Sequence, residues 1–259
     1  MKAIKFMLRT ALIFGIILFA ASYILKDDLP PKDMILKELL RKPVQSETDA
    51  GAFEKKMGEY TYTIRPKYAY ELYGLVVSYH HSSVFWDMEH KESQDYLNNK
   101  DIGIVWGDNI STGVYRDLKF TNNSWSLHWD FKFGTFGEKQ HDIIVNFSDS
   151  SISNNHVLAA NDKVAALIMS AGKGDQIWMK GYLVDYTTPS WQGFWRESSV
   201  TRDDTGSHAC EIVYVTDFKI LKKANQGWDT AYGMSKILML SSLVLYIIAF
   251  SIEAFMTGR

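Results

Sequence analysis

Four potential metal ligands lie close together in one stretch of the chain: His80, His81, Asp87 and His90. If Asp87 and His90 lie on one helix, their i, i+3 spacing places both on one face, and His80 or His81 can complete a site from the preceding segment. The stretch contains no HExxH pattern, and paired histidines in polar loops are commonly only solvated. We therefore favour no metal site and expect no cofactor.

A second polar group lies in the segments SNNH and TRDDTGSHAC. If these segments flank the central strands, Asn155 and His156 can meet Arg202, Asp203, Asp204 and His208. A hydrolase needs a positioned nucleophile and an oxyanion hole, but the chain has no G-x-S-x-G elbow. The structural alternative is that the asparagines bond a turn and Arg202 pairs with an aspartate to brace a hairpin. We favour that alternative.

Aromatic and basic residues alternate with apolar ones in a third stretch and predict a surface that stacks on bases or sugars. The same alternation is also typical of residues that cover a second core under a loop. The candidate ligand-binding residues are Asn155, Trp178, Lys180, Tyr182, Tyr186, Trp191 and Trp195.

Cys210 is the single cysteine, so the chain can form no intramolecular disulfide and no thiolate metal cluster. Its place at the start of an apolar strand pattern favours a small core residue over a nucleophile. The sequence DDTG at residues 203–206 lacks the ligand spacing of a calcium loop.

The elements that must position these residues centre on residues 153–186. We predict a polar loop at 148–155, a helix from about Asn161 to Ser170 with Asn161 or Asp162 as its N-cap, and a strand at 176–186. Alternation then predicts a final strand at 210–221, after a long connection.

The preceding half of the chain is rich in strand patterns. Residues 60–79 read as two strands separated by Arg65-Pro66, because proline interrupts a ladder. We expect a helix from Ser83 to about residue 99. Residues 34–41 show apolar residues at helical spacing and predict a further short helix. Further strands are predicted at 102–106, 124–133 and 143–147.

Composition excludes few classes of protein. The 259 residues suffice for one sizeable domain with additions, or for two small ones. A formal net charge of −2 provides no basic field for non-specific nucleic-acid binding, so we consider nucleic acid an unlikely partner.

Uncharged apolar runs at 10–25 and 237–252 predict two membrane spans. A cleavable signal peptide is the alternative for the first run, but apolar residues continue past its small residues, which favours a retained anchor. Basic residues before the first span favour a cytoplasmic tail at 1–9 and an extracytoplasmic middle, whereas lysines on the other flanks favour the opposite. The remaining predicted segments are a juxtamembrane helix and linker (26–59), a β-rich domain (60–221), a linker (222–236) and a short tail (253–259).

Several strands, a short helix and two more strands predict an α+β, mainly β fold. Among such folds, this order is typical of an OB-like Greek-key barrel with its helix between the third and fourth strands. β-Sandwiches and SH3-like barrels can give similar patterns.

Several motifs follow one another in order across residues 70–220: LNNKDIGIVWGDN, YRDLKF, SNNHVLAAND, KGDQIWMKGYLV and SSVTRDDTGSHACEIVYV. Together they resemble an uncharacterised group of bacterial membrane-anchored proteins with an OB-like domain. Members often carry a cysteine after the tryptophan of the SWSLHW-like segment, where this chain has Ser126 and Leu127, so Cys210 lacks that disulfide partner here. The resemblance implies a bacterial source and a shared domain, and it assigns no catalytic residue.

We thus expect a non-enzymatic protein of the bacterial inner membrane whose main domain is periplasmic. The lipid bilayer and other membrane or envelope proteins are its expected partners, and its domain mediates protein or small-ligand interaction in an envelope assembly. One alternative is an envelope hydrolase or metal-dependent enzyme using His156, His208 and Asp203. A second is a cytoplasm-facing nucleic-acid-binding or sensing module.

Overall fold

The structure is a computed structural model that describes residues 2–82, 92–123, 126–190, 194–201 and 210–258. The chain divides into two compact units. One contains both chain ends, Met1–Asp28 and Ala224–Arg259, and the other is the β-rich unit, Leu29–Lys223.

Five α-helices are described, two of them in the terminal unit and three in the β-rich unit. They are α1 (Lys2–Leu25), α2 (Gly107–Thr112), α3 (Glu138–Asn146), α4 (Asp162–Ser170) and α5 (Gln226–Thr257). Short 3-10 helices are present at Lys32–Met34, Lys37–Leu40, Val114–Asp117 and Asp149–Ser151.

The described strands belong to one large sheet and one hairpin. They are β1 (Val44–Ser46), β2 (Phe53–Met57), β3 (Tyr60–His81), β4 (Asn98–Val105), β5 (Leu118–Asn122), β6 (Leu127–Phe131), β7 (Ile152–Ala159), β8 (Gln176–Thr187), β9 (Trp195–Arg196) and β10 (Cys210–Lys222). The prediction of a mainly β, α+β domain with helices at both termini is confirmed.

Strand pairings in the large sheet close into a cycle that runs β3, β4, β7, β10, β8 and back to β3. The β7–β10 pair is parallel, and the other four pairs are antiparallel. Strands β1 and β2 add to β3, and β9 adds to β8. Strand β3 can serve several partners because it is 22 residues long: β2, β1 and β4 pair with successive segments of it, and β8 pairs with it from Ile64 to Leu75.

The predicted break at Arg65-Pro66 is wrong, because β3 continues through it. The β3–β8 register shifts between Pro66 and Tyr68, which is the kind of bulge that accommodates a residue without a backbone N–H. A proline at a bulge therefore bends the strand locally without ending it.

The main core lies on one side of the cyclic sheet and buries alternate residues of each strand, among them Ile102, Val157, Met179 and Val213. Helix α4 closes this core through Val164 and Ile168. Asn161 caps the helix, since its side chain accepts a hydrogen bond from the backbone N–H of Val164 at 3.1 Å. The predicted helix, its cap, the strand at 176–186 and the final strand are all confirmed.

Two local predictions fail around β7. Residues 143–147 form the end of α3 and not a strand, with Ile143 buried and its neighbours Ile144 and Val145 exposed. Residues 152–155 of the predicted polar loop belong to β7, which is buried almost throughout. Strand pairing on both edges supplies the backbone hydrogen bonds that allow these polar residues into the sheet.

The β-rich unit begins well before residue 60. Strands β1 and β2 pair with β3, and Leu29 and Leu39 are buried in a second core on the outer side of β3 and β4. The helix predicted at 34–41 is instead extended at Ile35 and Leu36 between two 3-10 turns. The side chain of Gln176 fixes this segment by accepting from Leu36 N at 2.7 Å and donating to Met34 O at 3.0 Å.

The remaining boundaries shift by a few residues. Strand β4 begins at Asn98, which the prediction placed in a helix, and it ends at Val105, shortly before α2 begins at Gly107. Most of that predicted helix, residues 83–91, lies outside the described residues.

The terminal unit consists of α1 and α5, which pack antiparallel. Lys5 pairs with Glu253 near one end, and the tilted rings of Phe19 and Tyr232 pack against each other near the other, with their centres 5.2 Å apart. Both helices are long and apolar enough to cross a membrane, with mean hydropathies of 2.0 and 2.1. Small residues face the partner helix, which is typical of helix packing in lipid; they include Gly15, Ser22, Ser235, Ser242 and Ala249.

Candidate functional site

His156 lies on the outer side of β7, where it belongs to a buried polar cluster. Its register partner on β4 is Asp101, and the imidazole Nδ1 is hydrogen-bonded to the Asp101 carboxylate. The side chain of Asn98 donates to the same carboxylate oxygen at 2.9 Å. His156, Asp101 and Asn98 are all at most 2% exposed.

Arg196 in β9 joins this group from the other side. Its Nη2 lies 2.9 Å from His156 Nε2, and its Nη1 donates to Asp95 at 2.7 Å and to the Tyr186 hydroxyl at 2.9 Å. The Tyr186 hydroxyl in turn donates to Asp95. We refer to Asp95, Asn98, Asp101, His156, Tyr186 and Arg196 as the polar cluster.

Burial lowers the pKa of His156, and the Arg196 guanidinium lowers it further, while Asp101 opposes both. The neutral imidazole matches its neighbours if Nδ1 donates to Asp101 and Nε2 accepts from Arg196. Both ring nitrogens are then engaged, so the imidazole has no lone pair directed at a substrate. The cluster acts chemically as a brace whose charged groups satisfy one another.

The polar cluster ties two long connections to the sheet. Asp95 belongs to the connection between β3 and β4, and Arg196 belongs to the connection between β8 and β10. The same region is held by the Tyr62 hydroxyl, which donates to Gln94 O at 2.7 Å, and by Ser190, which donates to Ser93 O. These bonds hold described residues of both connections against the sheet.

Asn155 does not accompany His156, because successive strand residues point to opposite sides. Its side chain lies on the core side, where Nδ2 donates to Ser153 Oγ at 2.7 Å and to Ile102 O at 3.2 Å. Its Oδ1 has no hydrogen-bond partner within the described part of the chain. Arg202, Asp203 and His208 lie outside the described residues. Their predicted contact with Asn155 and His156 therefore stays a prediction.

The predicted aromatic surface divides along β8. Tyr186 is fully buried in the polar cluster, whereas Lys180 is exposed and Trp178 and Tyr182 are half-buried. Trp178 donates from Nε1 to Glu71 at 2.6 Å, and the Lys219 ammonium lies 4.9 Å from the centre of its ring. We call Tyr73, Trp178, Lys180, Tyr182 and Lys219 the β8 outer face.

The other tryptophan candidates lie apart from this face. The Trp195 ring stacks under the Arg65 guanidinium at 3.9 Å, next to the polar cluster. Trp191 lies outside the described residues.

Half of the proposed metal ligands can be placed. His80 and His81 end β3, while Asp87 and His90 lie outside the described residues. Lys100 is the register partner of His81, and burial followed by the Lys100 charge lowers the pKa of His81. No group of three His, Cys, Asp or Glu side chains suited to a metal ion occurs among the described residues.

Lys100 is a buried basic residue that the sequence reasoning missed. Its Nζ donates to Ala171 O at the end of α4 and lies 4.0 Å from the centre of the Tyr79 ring. Burial lowers its pKa to about 8, with Lys223 contributing and Asp175 opposing. Cys210 begins β10, and its sulfur accepts from Asn154 at 3.4 Å.

The cluster members Asp95, Asp101 and Arg196 were also missed. The available signal was the sequence Lys100-Asp101 directly before an apolar strand run, because charged residues inside a strand are rarely buried unless paired. Nothing local marks Asp95 or Arg196, since their partners are distant in sequence.

Comparison of the chain with protein-family models, with curated proteins and with solved structures gives no match.

Proposed function

We propose that this chain is a non-enzymatic protein of the bacterial inner membrane, anchored by α1 and α5, whose extracytoplasmic β domain recognises a protein or small ligand in an envelope assembly. The domain is an OB-like Greek-key barrel. Three features support that fold: the cyclic strand pairing, the parallel β7–β10 pair, and the place of α4 between β7 and β8, which are the third and fourth of the five cycle strands in chain order.

The contrast between two outer faces of the sheet carries the proposal. On β4 and β7, the outer side is covered, because Gly103 lies under the β5–β6 hairpin and His156 lies in the polar cluster. On β8, the outer side is open: Lys180 is exposed to solvent, and Trp178 and Tyr182 are half-buried. Aromatic rings with adjacent cations recognise ligands without needing a catalytic group.

Site-specific photo-crosslinking of the full chain in bacterial cells tests this function. Benzoylphenylalanine replaces Lys180 in one variant and, as the matched control, the exposed Lys163 of α4 in another. We expect a discrete adduct from position 180 alone, and we expect Trp178→Ala to reduce it several-fold. Identical background patterns from both positions would overturn the proposal.

An activity assay on the full chain tests the hydrolase alternative. A hydrolase that depends on His156 would cleave ester, phosphate or peptide substrates and lose that activity in His156→Gln.

Cysteine labelling of the full chain tests the second alternative, a cytoplasm-facing module. Such a module would leave Gly51→Cys, in a Cys210→Ser background, unlabelled by an impermeant maleimide added outside the inner membrane. Gly51 suits this test because it is exposed and a side chain added there would meet no atom within 4 Å.

A further inference from the structure

Residues 132–137, here called the Phe loop, connect β6 to α3 and present two aromatic rings to solvent. Phe133 is fully exposed and Phe136 is 73% exposed. The loop is nevertheless well defined, since Thr135 between them is buried and its N–H donates to Lys132 O at 3.1 Å. Two glycines in the left-handed region, Gly134 and Gly137, make the turn possible.

The Phe loop is fixed to the part of the β-rich unit where the chain enters it. The N–H of Lys132 donates to Asp117 O at 3.1 Å, and the Lys139 ammonium pairs with the Asp117 carboxylate at 2.7 Å. Asp117 ends the 3-10 turn that begins at Val114.

The same turn holds the first residues of the unit. The Tyr115 hydroxyl donates to Pro30 O at 2.8 Å, and Leu29 shares a buried cluster with Tyr115 and with Ile143 of α3. Helix α1 ends at Leu25, four residues before Leu29. Because four residues span at most about 14 Å, Leu29 stays close to the point where the chain leaves a membrane-spanning α1.

Further apolar residues extend the Phe loop into α3. Ile144 is 59% exposed and Val145 is 67% exposed, although their neighbour Ile143 is buried. An exposed patch of this kind marks an interaction site, and aromatic rings with flanking lysines suit the interface between lipid headgroups and acyl chains. The lysines here are Lys132 and Lys139.

We infer that the Phe loop inserts Phe133 and Phe136 into the bilayer surface and gives the β domain a third membrane contact beside its two anchors. This inference rests on the proposed membrane anchorage. Lipid is the occupant favoured by the position of the loop, because the tether keeps a bilayer within reach at all times and the effective concentration of that surface is high. A fixed contact would hold the domain in one orientation.

Spin-label accessibility in the full chain tests the inference. Labels are attached at Phe133→Cys and Phe136→Cys in a Cys210→Ser background, with one chain in each phospholipid nanodisc. We expect both labels to collide several-fold more with oxygen, relative to a water-soluble nickel chelate, than a label at Gly51→Cys, which is the aqueous control.

A label at Phe14→Cys, on the exposed surface of α1, separates the possible failures. If the Phe14 label lies in lipid and the loop labels are aqueous, or are shielded from both reagents as in a protein interface, the inference is wrong and the anchorage stands. If the Phe14 label is itself aqueous, both fail.

A second measurement keeps the aromatic side chain at the loop. Benzoylphenylalanine at position 133 should give lipid adducts in native membranes. Adducts to a second copy of the chain or to another protein alone would overturn the inference.

Discussion

At the scale of single residues, the buried charges of the polar cluster hold distant parts of the chain together. Nη1 of Arg196 donates to the Asp95 carboxylate and to the Tyr186 hydroxyl, and its Nη2 contacts the His156 imidazole. Such groups stabilise a fold only in combination, because an unpaired charge left in the interior is costly.

The Asp95–Arg196 pair can be tested by a double-mutant cycle. We expect Asp95→Asn or Arg196→Met alone to lower the free energy of unfolding by about 3–5 kcal/mol, because each leaves a buried charged partner. The double variant should recover a large part of this loss. Denaturant unfolding of the full chain in detergent micelles gives the free energy of unfolding of the wild type, the two single variants and the double variant. Additive losses would argue against a coupled pair.

His156 should make the stability of the β-rich unit fall in mild acid. Its folded pKa is lowered, so the unfolded chain takes up a proton first as the pH falls below about 6.5, and the stabilisation present above that value is lost. The slope can reach about 1.4 kcal/mol per pH unit for one proton. Unfolding between pH 7.5 and 5.5 should show a shallower slope for His156→Gln than for the wild type, and equal slopes would contradict the assignment.

Lys100 should act at the opposite end of the pH scale. Its folded pKa of about 8 lies below the ordinary value of 10.5, so the protonated form is disfavoured by folding, and stability should rise as the pH increases from about 8 toward 10. The full difference corresponds to about 3 kcal/mol. In Lys100→Met this rise should disappear, with Lys163→Met on the surface as control. A rise retained in the variant would assign it to other groups.

At the scale of elements, the cyclic sheet requires close approach of β8 to β10. A side chain added at Gly181 would overlap the backbone carbonyl of Tyr214, whereas Gly51 has open space around it. The β8–β10 register depends on this contact, since Gly181 is paired with Val215.

We therefore expect Gly181→Ala to destabilise the β-rich unit by several kcal/mol, because the backbone of β10 must move. Gly51→Ala should change the unfolding free energy by less than about 1 kcal/mol. Thermal unfolding followed by near-ultraviolet circular dichroism compares the two, and a similar midpoint for both variants would mean that the strands separate at little cost.

Elements with a complete local signal could be predicted from the sequence. Helix α4 has its cap at Asn161 and an apolar stripe, and β8 alternates along most of its length. Prediction failed where tertiary contacts determine the secondary structure. The Ile-Ile-Val run of α3 has strong strand propensity, yet only Ile143 of the three has a buried environment.

The candidate site was predictable only in part. His156 was identified by type, but its partner Asp101 becomes visible only through the β4–β7 register, and Arg196 is 40 residues away in sequence. The SNNH segment looked like a loop because its residues are polar. Its burial depends on strand partners that no local pattern specifies.

At the scale of the whole chain, the antiparallel packing of α1 and α5 places both termini at one end of the terminal unit. Lys5 and Glu253 form an ion pair there. If the two helices span a bilayer, the N- and C-termini lie on the same side, and the chain between them lies on the other.

We expect tags at the two termini to show the same protease sensitivity in sealed spheroplasts, and Gly51→Cys to show the opposite accessibility. Lys5→Glu should weaken the pairing of α1 with α5 by like-charge repulsion, and Lys5→Glu with Glu253→Lys should restore it. Opposite sensitivity of the two tags would contradict the antiparallel arrangement.

Strand β10 is the last strand in chain order, and this position constrains how the protein is made. Residues 210–222 pair with both β7 and β8, so a nascent chain that lacks them leaves two strand edges open. Translation supplies β10 only a few residues before α5 begins at Gln226. The domain therefore completes its sheet at about the time α5 leaves the ribosome, and during the preceding synthesis the unpaired edges of β7 and β8 are open to misfolding or to chaperones.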